Sequence, residues 1–216
     1  MHNIVKNLIY IEELIKSKVN HDKLAKIIAV SKTFPIEKVL PLIEHGHLHY
    51  GENKVQEALG KWSDIKNENQ NIQLHLIGRL QSNKVKSALK IFDYIHSLDS
   101  EKLATKISEE QIKQEKKPKI FIQVNIGNED QKSGINKDDL VNFYNFCKKL
   151  NLDIIGTMCI PPNDVNTEKY FSKMNEINQE LNFSELSMGM SKDYLEAVKN
   201  KATYVRVGSK IFGSRT

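Results

Sequence analysis

"KIIAVSKTFPIEKVLPLIEHG", residues 26–46, carries a complete structural unit. KIIAV (26–30) is short, apolar and largely β-branched, the pattern of a buried strand. Pro35 then stands at a favoured first-turn position of a helix, with Val39, Leu42 and Ile43 turned inward. Gly46 ends that helix. A strand followed by a helix is one βα unit, and the rest of the chain repeats it. Further strands are predicted at 47–50 (HLHY), 72–77 (IQLHLI), 93–97 (DYIHS) and 119–125 (KIFIQVN). Three more are predicted at 153–158 (DIIGTM), 185–188 (ELSM) and 203–207 (TYVRV). Amphipathic helical stretches separate them, most clearly 83–91, 100–115, 137–150 and 167–181, with another from Ser191 as its N-cap. Ahead of the first strand, Ile4, Leu8, Ile11, Leu14 and Ile15 share one helical face. Alternating βα units imply a parallel sheet, and eight of them imply a closed (β/α)₈ barrel. The expected architecture is therefore one α/β barrel domain over residues 1–216, with an extra N-terminal helix. An open doubly wound sheet is the structural competitor. The absence of a glycine-rich dinucleotide loop after the first strand weakens it.

Composition narrows the function classes. Charged residues make up 27% and hydrophobic ones 39%, and the net charge is +5. Of 32 basic residues only three are arginine (Arg79, Arg206 and Arg215). The lysines are scattered, and the densest run, KQEKKPK, carries a glutamate. A nucleic-acid surface needs a clustered stripe, preferably with aromatics, so no nucleic-acid partner is expected. Two cysteines without metal-ligand spacing suggest a reducing cytosol. No stretch has the ~18 apolar residues of a membrane span, so a cytoplasmic protein with no membrane partner is expected. No long exposed apolar face stands out, which suggests a monomer.

Barrel active sites lie at the C-terminal ends of the strands. The first strand presents Ser31, Lys32 and Thr33 there, and the second Glu52 and Asn53. The third presents His75 and Gly78, the fourth Ser97 and Asp99, the fifth Asn125, and the sixth Met158 and Cys159. SMGMS (187–191) follows the seventh strand and VRVGS (205–209) the eighth. Loops after strands seven and eight often hold phosphate, and small residues, hydroxyls and backbone N–H groups suit one. Turn and capping chemistry explains the same residues equally well. Arg206 lies inside an apolar strand, where a charge needs a partner or a ligand. Lys32 follows an apolar run. Desolvation there would favour a nucleophilic amine that forms Schiff bases, but the side chain could equally reach solvent at the rim. HGHLH (45–49) has no cysteine or carboxylate to complete a metal set, so no metal is expected. Cys159 reads as a small buried residue. GNEDQKSG (127–134) reads as a mobile polar loop near the mouth.

The blocks AVSKT, YGENKVQE, HLIGRLQSNK, IHSLDS, QVNIGNEDQKSG, GTMCIPP, LSMGMSKD and VRVGSKIFG occur in that order between residues 26 and 215. Together they resemble the pyridoxal phosphate homeostasis family. The resemblance implies a barrel similar to the N-terminal domain of alanine racemase, with pyridoxal 5′-phosphate bound as a Schiff base. By the family's pattern the Schiff-base lysine is Lys32, and Asn53 lines the pocket. Ser187 binds phosphate, Arg206 faces the pyridine nitrogen, and Gly208 and Ser209 bind phosphate. Ser209 stands where threonine is usual and keeps the hydroxyl. Lys54 replaces a common arginine, and Thr157 a common leucine.

An arginine cannot accept the proton that a strong electron sink needs on the ring nitrogen. Racemization also needs an acid–base group on each face, and racemases borrow one from another domain and subunit, whereas the eight units use up this chain. The expectation is a non-catalytic protein that binds pyridoxal phosphate and supplies it to apo-enzymes, with no catalytic residues. A narrow-scope pyridoxal-phosphate racemase or lyase is the alternative. A Schiff-base aldolase acting on a phosphosugar, without any cofactor, is the third.

Overall fold

In β1 (Lys26–Val30), alternate side chains face opposite ways. Ile27 and Ala29 enter the core beneath the helices, while Ile28 and Val30 point into the barrel. The computed structural model describes residues 1–19, 24–129, 131–162 and 166–214. Seven further parallel strands complete the barrel: β2 (His49–Glu52), β3 (Gln73–Leu76), β4 (Tyr94–Leu98), β5 (Lys119–Val124), β6 (Asp153–Cys159), β7 (Glu185–Met190) and β8 (Tyr204–Val207). They pair in chain order, and β8 closes on β1 with Ile28 opposite Arg206 and Ala29 opposite Val207. The connecting helices are α2 (Ile36–Glu44), α3 (Val55–Glu68), α4 (Val85–Ile91), α5 (Glu101–Gln114), α6 (Leu140–Lys149), α7 (Glu168–Glu180) and α8 (Tyr194–Lys199). The leading helix α1 (Asn3–Lys18) packs Leu8, Ile11 and Ile15 inward against α8, α2 and the last helix, α9 (Ser209–Phe212). The (β/α)₈ barrel and its extra N-terminal helix are thus as the alternation predicts.

The shell between strands and helices is apolar. Leu42 of α2, Trp62 of α3, Ile107 of α5, Phe171 of α7 and Val198 of α8 are all fully covered there. The lumen is of mixed character. Ile28 and Val30 meet Tyr94, Phe121, Met158 and Tyr204 there. His75, His96, Ser187 and Arg206 are buried among them. No helix among the described residues is long and apolar enough to cross a membrane.

Most boundaries shift by a residue or so from the sequence reading, and three differences bear on the site. β2 starts two residues late, because Gly46 (φ +91°) and the His47 N–H, bonded to Leu42 O, extend the helix-end turn. This puts Glu52 inside the strand and Asn53 just after it. β7 runs on to Met190 through Gly189, whose φ of +86° only glycine adopts without strain, and its register with β8 shifts there. Ser191 does not cap α8. Asp193 holds the N-cap position, and its carboxylate accepts from the Met190 N–H at 2.6 Å.

Candidate functional site

The ends of β1, β2, β7 and β8 are neighbours, and all six residues expected at the site lie on or just past them. Gly208 lies against β1: a Cβ there would meet Val30 Cβ and O at 3.4 Å. Lys32, two residues beyond Val30, is half-buried, and Ser209 is exposed. On the other side of β1, the Ser31 N–H donates to Gly51 O at 3.0 Å, which brings Asn53 alongside. Asn53 is held by an unusually close crossing, since a Cβ at Gly78 would fall 2.4 Å from its carbonyl oxygen.

A buried carboxylate fixes the backbone around Lys32. Glu52 Oε1 accepts from Ser31 Oγ at 2.7 Å, Lys61 Nζ at 2.8 Å and Trp62 Nε1 at 3.0 Å. Lys61 also donates to Ser31 O at 2.9 Å. Glu57 Oε1 accepts from the Thr33 N–H at 2.6 Å, and Thr33 adopts a left-handed φ of +69°. Both neighbours of Lys32 are therefore clamped to α3. Sequence reasoning named Asn53 and gave Glu52 no role. The signal was there: a carboxylate ending an otherwise uncharged strand needs donors.

Arg206 is 4% exposed, yet among the described residues it makes no ion pair. Nη1 donates to Ser187 Oγ at 2.8 Å and Nη2 to the Cys159 carbonyl at 2.9 Å. Burial pulls its pKa below the ordinary guanidinium value. A buried cation whose partners are all neutral suits a ligand that carries negative charge or a lone pair. Ser187 is fully buried, and its hydroxyl also meets His96 Nδ1 at 2.9 Å. Ser191, expected as a cap, instead accepts from the Gly208 N–H at 3.1 Å, joining the loops after β7 and β8. Burial pushes the Cys159 thiol up to about 12, which keeps it protonated and inert.

The polar loop after β5 is fastened down among its described residues; Asp130 lies outside them. Asn125 exchanges hydrogen bonds with the Glu129 backbone at 2.9 and 3.2 Å, and Gln123 donates to Ser133 O at 3.0 Å. Lys132 reaches Pro161 O, tying the loop to the end of β6. Among the described residues no group of three or more His, Cys, Asp or Glu side chains is arranged to hold a metal ion.

Closed parallel strands, with a lysine just past the end of β1 and a buried arginine on β8, define a (β/α)₈ barrel with polar groups gathered at the C-terminal ends of its strands. Over residues 7–216 the sequence matches the family described as alanine racemase, N-terminal domain. A pyridoxal phosphate homeostasis protein of Aquifex aeolicus is 37% identical over 201 residues, covering 88% of this chain and 87% of that protein. Another, from Haemophilus influenzae, is 35% identical and covers 99% of this chain and 95% of its own length. PipY of Synechococcus elongatus, solved with PLP bound, superposes with a TM-score of 0.87 at 32% identity, over 97% of this chain and 100% of that one. Alanine racemase of Clostridium difficile superposes with a TM-score of 0.74 at 15% identity, over 99% of this chain and 57% of that one, a likeness of fold alone. The chain belongs to the alanine racemase N-terminal domain family and, within it, to the pyridoxal phosphate homeostasis proteins.

Proposed function

We propose that this protein binds pyridoxal 5′-phosphate through Lys32 and hands it to apo-enzymes, without turnover of its own. The observation that carries the reading is the fully buried Arg206, held by neutral acceptors beside the strand that delivers Lys32. The residues present suit the cofactor: an amine for its aldehyde, a guanidinium for its ring nitrogen, and hydroxyl and backbone N–H groups for its phosphate. When bound, the cofactor supplies an aldehyde to which an amine attaches with loss of water. The clamp from Glu52, Lys61 and Glu57 sets where the Lys32 amine meets that carbon. Asn53 lines the wall beside it. Arg206 would donate to the ring nitrogen and cannot give it a carboxylic proton, which would keep the ring a weak electron sink. Gly208 and Ser209 would hold the phosphate, and Ser191 accepts from the Gly208 N–H beside them. Ser187 accepts from Arg206 and meets His96, and it would be a further hydroxyl for the phosphate.

Purified protein with pyridoxal phosphate should be yellow, and Lys32→Ala should be colourless. A wild type that stays colourless with added cofactor contradicts the reading. The loaded protein should also reactivate apo-forms of unrelated pyridoxal-phosphate enzymes faster than free cofactor does. Multiple turnover of single L-amino acids to D-isomers or keto acids would favour a racemase or lyase instead.

A further inference from the structure

We propose that His49, His75 and His96 form a proton relay that connects Ser187 to the N-terminal face of the barrel. The proposal rests on the reading of Ser187 and Arg206 as part of the cofactor site.

Three contacts make the chain. His96 Nδ1 meets Ser187 Oγ at 2.9 Å, His75 Nδ1 meets His96 Nε2 at 2.9 Å, and His49 Nδ1 meets His75 Nε2 at 3.0 Å. His96 and His75 each present Nδ1 toward the site and Nε2 toward the next ring, and His49 takes the last contact with Nδ1, so the histidines stand head to tail. Packing fixes them in that sense. His75 stacks on Tyr94 with centroids 4.2 Å apart, and His96 stacks on Phe121 at 4.3 Å. Below His49 a cleft of about 440 Å³ opens between α1 and the first strands, lined among others by Glu12, Lys26 and His47.

All three rings are neutral near pH 7. Burial, then the neighbouring charges, holds His75 and His96 well below the ordinary imidazole value. His49 is lowered to about 4 by burial first, then by His47, Lys26 of β1 and Lys119 of β5. Tyr94 and Tyr204 also face this end, and Arg206 faces His96. A neutral imidazole has one donor and one acceptor, so each ring–ring contact needs one proton. Arg206 can only donate to Ser187 Oγ. The buried hydroxyl proton needs an acceptor, and His96 Nδ1 is the one it meets among the described residues, so all three rings carry their proton on Nε2.

One transfer reverses the chain. From an acidic group of the bound cofactor, a proton passes to Ser187 Oγ, and the hydroxyl proton moves to His96 Nδ1. The Nε2 proton of His96 moves to His75 Nδ1, and that of His75 to His49 Nδ1. The Nε2 proton of His49 leaves to water in the cleft. One proton enters, one leaves, and every ring starts and ends neutral. Release of the cofactor runs the same steps backward, so proton balance is kept without passage through the mouth.

The test is ¹⁵N NMR of the histidine rings in the full-length chain at pH 7, with and without pyridoxal 5′-phosphate, with binding followed by visible absorbance. Without cofactor all three rings should be Nε2–H; adjacent rings in opposite senses, or a charged ring, overturn the relay. With cofactor all three should switch to Nδ1–H together. His75→Gln keeps one donor and one acceptor but cannot take up and release a proton. In that variant neither His96 nor His49 should switch, because the Nε2 proton of His96 has no ring to pass to. A wild-type His49 that keeps its tautomer while absorbance shows bound cofactor overturns the relay alone. So does a His49 that switches equally in His75→Gln. No absorbance change at all overturns the functional reading and the relay with it.

Discussion

The same strands build two interiors of opposite character. Outward side chains such as Ile27, Ala29, Ile95, Ile122 and Val205 meet the helices in an apolar shell. Inward side chains such as His75, His96, Ser187 and Arg206 carry a hydrogen-bonded line through the lumen. Burial is equally complete in both regions, but its energetic meaning differs. In the shell each buried atom contributes hydrophobic stabilisation. In the lumen each polar group only recovers what it lost in leaving water. The shell therefore holds the fold, and the lumen holds the site.

Truncation in the shell should have the largest effect. Trp62 is fully buried and also donates to Glu52. Trp62→Ala should cost about 3–5 kcal/mol of stability in denaturant titration, with the lost donor adding to the cavity. A cost under ~1 kcal/mol would break the distinction between the two regions.

Acid should find the lumen first. A histidine kept neutral by the fold has a folded pKa below its unfolded value of about 6.5. As pH falls, the unfolded chain takes up the proton first. The stability is whole above that value and is lost as pH falls toward the folded one. His75 and His96, both fully buried and strongly lowered, should each contribute a slope of about 1.4 kcal/mol per pH unit below pH 6.5. His75→Phe keeps the stack on Tyr94, should cost about 1–3 kcal/mol at pH 7 through the unpaired His49 and His96 nitrogens, and should remove one proton's share of that slope. A slope equal to the wild type's would show that His75 is already charged in the fold.

The smallest effect on stability should come from Arg206→Met. Removing a buried cation that makes no ion pair among the described residues should leave stability unchanged or raise it by about 1 kcal/mol. Affinity for pyridoxal phosphate, measured by absorbance titration, should fall at least tenfold. A strongly destabilised variant would place Arg206 with the structural residues of the shell.

The shell was legible in the sequence because periodicity reports which face is apolar. KIIAV followed by Val39 and Leu42 gives a strand, a helix and the layer between them. Strand ends were legible where turn residues mark them, as at Gly208, and were misplaced at β2, where the turn after Gly46 runs two residues longer. The histidine line was not assembled. His75 and His96 lie in different strands, and only the parallel pairing of β3 with β4 brings their ring nitrogens within 2.9 Å of each other. Their signal, a titratable residue inside an apolar strand, is the one that singled out Arg206. The clamp on Lys32 joins residues from β1, β2 and α3, a set that no linear spacing encodes.

The account depends on one lysine among many exposed ones. Borohydride reduction of the protein mixed with pyridoxal phosphate, followed by peptide mass mapping, tests it most directly. The account predicts one pyridoxyl group, on Lys32, and its loss in Lys32→Ala. Labelling spread over surface lysines, or undiminished in that variant, would contradict it.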